Sequence, residues 1–206
     1  MPKPERPHNL LLVISGPAGS GKTTLCDRLL AEFPDSVRRL VTTTSREPRP
    51  GERDGVDYNF LPPHVFERKI QQGDFIEWAR VHGRYYGSRK DHVLALLADG
   101  RDILLNIDVQ GARSFREQEK RIPELEGRLF SVFIRPRSME QLRRRLEGRG
   151  ADDGREISRR LKTAEEELRA APEFDHTITS GSRDEDYAAL RDLYLRLRES
   201  MNMRTP

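Results

Sequence analysis

The chain has 206 residues, enough for one compact domain with small insertions and too few for two independent folds of ordinary size. Hydrophobic residues make up 35% and charged residues 34%, so a modest core lies under a heavily ionic surface, and the single cysteine, Cys26, excludes a disulfide framework and fits a reducing compartment. The net charge is only +3, with 34 acids among 37 bases, most of them arginine; this reads as a solvated, salt-bridged surface, and neither an aromatic-and-basic RNA-reading motif nor a zinc spacing argues for nucleic acid.

The start "MPKPERPHN" lacks the apolar core of a secretory signal, and no segment approaches the length of a membrane span. Residues 1–9 read as a loose tail, and the expected compartment is the cytoplasm. The first apolar run, "LLLVIS" from Leu10 to Ser15, predicts a buried strand. It leads into "GPAGSGKTTL", where Gly16-x-x-x-x-Gly21-Lys22-Thr23 has the spacing of a loop whose successive N–H groups curl round a polyphosphate. Lys22 would reach the terminal phosphates and Thr23 a Mg2+ ion. Residues 23–33 have helical apolar spacing, and a helix N-terminus there adds its own attraction for anions. A plain glycine-rich turn would need neither the lysine nor the threonine.

From Arg38 to Tyr86 the chain turns polar, threonine-rich and turn-rich, which predicts a small inserted lobe. Arg46 and Arg49 lie three apart in a loop held by Pro48 and Pro50, with Tyr58 following, the makings of a preorganised anion clamp. In "FIEWA", strand alternation turns Glu77 to the face opposite Ile76 and Trp78, where an acid calls for donors. "YYGS" adds Tyr86 and Ser88 beside a glycine turn. Residues 101–108 and 128–134 then predict buried strands and residues 176–179 a weaker one, between helical stretches at 110–120, 139–148, 155–171 and 184–200. Ser138 with Gln141 three residues on predicts a capping box. "EGRGADDGREISRRL" joins two arginine-rich helices through glycine and aspartate turns, a hinge that suits a mobile lid. The alternation of periods predicts an α/β fold with a parallel sheet and helices on both faces.

Together "GPAGSGKTTL", "TTTSREPRPGERDGVDYNF", "FIEWARVHGRYYGS", "NIDVQGA", "RRRLEGRG" and "ISRRL" resemble, in order and spacing, the guanylate kinase family over about residues 10–197. The resemblance implies one P-loop nucleoside monophosphate kinase domain over residues 10–206, with a core at about 10–37, 87–144 and 172–206, a GMP-binding lobe at about 38–86 and a lid at about 145–171. The activity implied is transfer of the γ-phosphoryl of ATP to GMP, and to dGMP, with Mg2+ as cofactor. The partners implied are the small molecules GMP and ATP, without nucleic acid or membrane, and a homo-oligomer stays open. By the resemblance, Gly16, Pro17, Ala18, Gly19, Ser20, Gly21, Lys22, Thr23, Thr24 and Ser180 would hold ATP. Arg46, Arg49, Tyr58 and Tyr86 would hold the GMP phosphate, while Thr42, Glu77, Ser88 and Asp108 would recognise guanine. Lys22, Arg145, Arg149 and Arg160 would carry the chemistry, Thr23 would ligate the metal, and Asn106 would meet it through water. The base chemistry agrees: guanine shows N1–H and a 2-amino group side by side, which one carboxylate accepts together, whereas adenine N1 would meet Glu77 lone pair to lone pair.

Two positions depart from the family pattern. Asn106 stands where an aspartate is usual, and Ser180 where an asparagine usually contacts adenine. Rival readings are weaker. "DVQG" resembles a GTPase switch, but no Asn-Lys-x-Asp motif accompanies it. A non-catalytic interaction module would have a degraded phosphate loop, and a sugar-phosphate kinase would lack the guanine-reading set.

Overall fold

A computed structural model describes residues 9–81, 83–148 and 154–203. In chain order the first half comprises β1 (Leu11–Ser15), α1 (Lys22–Glu32), β2 (Val37–Arg39), β3 (Thr43–Thr44), β4 (Asn59–Phe60), α2 (Pro63–Gln71), β5 (Phe75–Val81) and β6 (Arg84–Arg89). The second half comprises α3 (Lys90–Ala98), β7 (Asp102–Asn106), α4 (Val109–Glu119), β8 (Leu129–Arg135), α5 (Met139–Glu147), α6 (Gly154–Arg169), β9 (His176–Thr179) and α7 (Arg183–Met203).

Five of these strands form a parallel sheet in the order β2-β7-β1-β8-β9. Its strands are apolar on both faces because helices cover both. Leu11 and Val13 of β1 pack with Ile103, Leu105 and Phe133 under α3 and α4, while Leu12 and Ile14 pack with Leu104, Val132 and Ile134 under α1 and α7. Each such side chain contributes roughly 1.5–3 kcal/mol by leaving water. The order reverses at β1, with β7 on one side and β8 on the other, so a crevice opens at the carboxyl ends of the strands, where such folds seat ligands. At the other end Asp102 accepts from the Leu10 N–H at 2.8 Å and from the Tyr194 hydroxyl at 2.8 Å, which ties α7 to the base of the sheet.

A second sheet, β4-β3-β6-β5, stands beside the first. The expected insertion from residue 38 begins inside a core strand, because Val37–Arg39 pairs with β7, and at its far end β6 carries the small sheet on to Arg89. The strand expected over residues 101–108 stops at Asn106: Asp108 turns out of the sheet to cap α4, its Oδ1 accepting from the Gly111 N–H at 2.7 Å. The box expected at Ser138 is half formed. Ser138 Oγ accepts from the Gln141 N–H at 3.1 Å, but Gln141 Oε1 turns to the N–H of Arg137 at 3.0 Å, one residue before the cap. A complete box stands instead at α7, where Ser182 Oγ accepts from Glu185 N–H at 3.2 Å and Glu185 Oε2 accepts from Ser182 N–H at 2.9 Å.

Candidate active site

The loop from Gly16 to Gly21 links the central strand to α1 through three left-handed glycines, Gly16, Gly19 and Gly21, at φ 133°, 90° and 98°. A side chain at Gly16 would put its Cβ 2.4 Å from the carbonyl oxygen of Ile134 in β8, so only glycine lets the loop lie on the sheet edge. Gly21 takes the N-cap position with no side chain to cap α1, and no acid lies in the first turn. The first N–H groups of α1 therefore point into the crevice as a ready anion site. Lys22 Nζ lies over the loop, donating to the carbonyls of Gly16 at 2.5 Å and Pro17 at 2.9 Å. The hydroxyl of Ser20, wholly buried within the loop, finds no hydrogen-bond partner among the described residues.

Two cavities meet this loop, and a third lies under the small sheet. The first, of about 340 Å³, is lined by Gly19, Gly21, Thr24, Arg145, Arg183 and Asp186 among others. Arg145 reaches it from α5, donating through Nη1 to the carbonyl of Ser20 at 3.3 Å and to Ser180 Oγ at 3.1 Å. Ser180 is wholly buried, and its hydroxyl donates to Asp186 at 2.6 Å. The second cavity, of about 200 Å³, lies between Ala18 and α6, where Arg159, Arg160, Thr163 and Glu167 line it. Arg160 Nε is 3.1 Å from Glu156, one turn back on the same helix. Burial pushes the Glu167 carboxyl up to about 7, with Lys22 acting against the rise and Asp108 reinforcing it. Arg149 lies outside the described residues.

The third cavity, again about 340 Å³, opens under the small sheet and is lined by Thr42, Tyr58, Glu77, Ala79, Val81, Tyr86, Gly87, Asn106, Ile107 and Asp108. Alternation along β5 holds as expected at the acid: Glu77 is 9% exposed while Trp78 beside it is 45% exposed on the outer face. Ile76 is buried in the main core rather than beside Trp78, because the β5–β6 register shifts between Phe75 and Glu77. Ser88 donates to Glu77 Oε1 at 2.6 Å. Burial, reinforced by Asp108 and opposed by Ser88, raises the Glu77 carboxyl to about 7. Gly111 leaves room for it, since a Cβ there would meet Glu77 Oε2 at 3.4 Å.

The loop of the two arginines contains a third member, Glu52. Glu52 accepts from both terminal nitrogens of Arg46 at 2.7 Å and from the backbone N–H of Arg49 at 2.8 Å. Hydrogen bonding to Arg46 holds the Glu52 carboxyl down at about 2, so it is ionised at any physiological pH. Arg46 also lies 5.2 Å over the Tyr58 ring, whose centroid is 6.0 Å from that of Tyr86. Its Nε is buried with no close hydrogen-bond partner among the described residues. Glu52 three residues after Arg49 was the available signal: an acid able to pre-align both arginines in a proline-held loop. Arg49 itself is exposed.

Asn106 Nδ2 lies 3.3 Å from Thr23 Oγ1, which joins the third cavity to the phosphate loop. Thr23, Asn106 and Asp108 offer a hydroxyl, an amide and a carboxylate, hard oxygen donors of the kind Mg2+ takes. Among the described residues no three acids, histidines or cysteines cluster as a cage. No described helix is long and apolar enough to cross a membrane.

Comparison with known proteins agrees with this geometry. The sequence model for guanylate kinase matches residues 8–196. The chain is 46% identical to a guanylate kinase of Nitratidesulfovibrio vulgaris, with 90% of this chain and 86% of that one aligned. It is 42% identical to a guanylate kinase of Symbiobacterium thermophilum, over 93% of this chain and 87% of that one. The crystal structure of a guanylate kinase from Anaplasma phagocytophilum superposes with a TM-score of 0.69 at 31% identity, covering 96% of this chain and 88% of that one. With the phosphate loop, the carboxylate-lined cavity and these likenesses in agreement over most of its length, the chain belongs to the guanylate kinase family.

Proposed function

We propose that the protein is an ATP:GMP phosphotransferase, with GMP seated under the small sheet and ATP along the phosphate loop, giving GDP and ADP. The observation that carries the acceptor is Glu77: a buried carboxylate paired with the Ser88 hydroxyl in a cavity of about 340 Å³ matches the two adjacent donors of guanine. Thr42 and Asp108 complete the base site, and Arg46, Arg49, Tyr58 and Tyr86 take the phosphate. The 2′-deoxy form, dGMP, is accepted as well, and the activity belongs to purine nucleotide metabolism in the cytoplasm.

The reaction needs no covalent intermediate and no general base, because the attacking phosphate oxygen is already an anion near neutral pH. What remains is holding two polyanions in line. Lys22 with the loop N–H groups takes the terminal phosphates of ATP, and Arg145, Arg149 and Arg160 offset the charge that spreads over the transferring phosphoryl oxygens. Magnesium, when bound with the triphosphate, supplies further positive charge, and Thr23, with Asn106 through water, would hold it. Approach of α6 to the loop excludes water that would otherwise hydrolyse ATP.

The test is GMP-dependent ADP release, compared across GMP, dGMP, AMP, UMP and CMP. GMP and dGMP turn over and the other three do not, and Lys22→Ala lowers turnover on the order of a thousandfold. A wild-type protein that binds a peptide tightly and releases no ADP with GMP overturns the reading in favour of an interaction module.

A further inference from the structure

Arg145 is held by a chain of hydrogen bonds whose far end is an acid on α7. Asp186, in the first turn of α7, is 5% exposed. Its Oδ2 accepts the Ser180 hydroxyl at 2.6 Å and its Oδ1 accepts the Gly181 N–H at 2.5 Å. A serine has one hydroxyl hydrogen, and Ser180 gives it to Asp186, so toward any third group Ser180 can only accept. The third group is Arg145 Nη1, a donor that can only give, at 3.1 Å. The direction of the chain is therefore fixed from guanidinium through hydroxyl to carboxylate, and the carboxylate charge makes the hydroxyl oxygen a better acceptor. The same Nη1 lies 3.3 Å from the Ser20 carbonyl and 4.0 Å from where a Cβ of Gly21 would stand, so the guanidinium sits against the phosphate loop.

The far end is anchored as well. The Ser182–Glu185 box fixes the start of α7, and Ser180 N–H donates to the Arg135 carbonyl of β8 at 2.7 Å. Asp186 also lines the first cavity, where a bare carboxylate would repel a triphosphate. Its engagement by Ser180 and Gly181 turns that charge toward the arginine instead. We infer that Asp186 and Ser180 are positioning residues that aim Arg145 at the phosphate loop; this rests on the reading of Arg145 as a phosphoryl-transfer residue.

A kinetic double-mutant cycle tests it, with Asp186→Asn and Ser180→Ala each made in the wild type and in Arg145→Ala. In the wild type each lowers kcat by roughly ten- to a hundredfold, as misaiming one group by a fraction of a bond length does, and leaves KM for GMP within about twofold. In Arg145→Ala neither lowers kcat further. Equal losses in both backgrounds overturn the relay, because the acid then acts on something other than Arg145. An Arg145→Ala enzyme with wild-type kcat instead overturns the role of Arg145, and with it any need to aim it. GMP binding measured by calorimetry checks the folding of each variant, since it uses the cavity under the small sheet. Should Asp186→Asn fail to fold, Ser180→Ala, which removes one oxygen, decides alone.

Discussion

Glu77 is the residue on which acceptor choice turns, and its environment makes that choice depend on pH. Guanine needs the ionised carboxylate, and burial has raised the group to about 7. The free enzyme therefore loses its acceptor site as protons add below that value: kcat/KM for GMP falls with falling pH through about 7, while kcat at saturating GMP falls less. Initial rates from pH 5.5 to 8.5, taken as rough bounds of the titration, check this. Glu77→Gln removes the dependence and lowers kcat/KM for GMP by about 1–3 kcal/mol, because one guanine donor is left without an acceptor in a desolvated site. Asn106 offers a second test. Its amide beside Thr23 can accept from a metal-bound water but brings no charge, so Asn106→Asp lowers the Mg2+ concentration for half-maximal rate by an amount on the order of 1 kcal/mol. The new carboxylate lines the same cavity as Glu77 and raises its titration further, so the acid limb of the pH profile moves upward in the same variant. An unchanged Mg2+ titration removes Asn106 from the metal.

The connection from β1 to α1 carries the backbone constraint. Gly16→Ala meets the Ile134 carbonyl at 2.4 Å and keeps a backbone conformation that L side chains rarely adopt, so the loop must lift from the sheet. Urea unfolding should show a loss of about 2 kcal/mol or more, and ATP binding by calorimetry should disappear. This element was legible in the sequence because its whole logic is local: an apolar run, glycines at fixed spacing and a helix pattern. So were β9 and the starts of α5 and α6 to within a residue. Where longer-range contacts decide, the sequence said less. The pattern over residues 101–108 overruns the strand, which ends at Asn106, because an N-cap and a strand residue look alike until the chain turns. Ser138 forms only half of its box, while the complete box at Ser182 is masked in the sequence by the acidic run around Glu185. Glu52 and Asp186 are not announced by any period along the chain: Glu52 meets Arg46 only once the loop between them has folded back, and Asp186 reaches Arg145 only through Ser180.

Taken whole, the protein holds two costly carboxyls around its phosphate loop and small sheet, Glu77 under the sheet and Glu167 on α6. Glu77 and Glu167 both titrate near 7 instead of the ordinary 4.5. Between those values the folded protein keeps protons that the unfolded chain has released, so stability from these groups is full below 4.5, falls as pH rises through about 7 and is flat above. Glu52 and Glu156, held down at about 2 by arginines, act in the opposite sense, their contribution lost only as pH falls toward that value. Urea titrations at about pH 5.5 and 7.5 should find the ligand-free protein less stable at the higher value, with Glu77→Gln flattening the difference. GMP at about a hundred times its Kd should return roughly 2.7 kcal/mol. The strand that carries Glu77 also carries the chain's only tryptophan, Trp78, edge-on to Tyr85 and 45% exposed on the opposite side of the sheet from the cavity. Its neighbours in sequence, Glu77 and Ala79, both line that cavity. A shift of β5 as a nucleotide enters therefore moves the indole between water and ring contact, and the protein carries its own optical reporter: tryptophan emission should change on adding GMP, with no label attached.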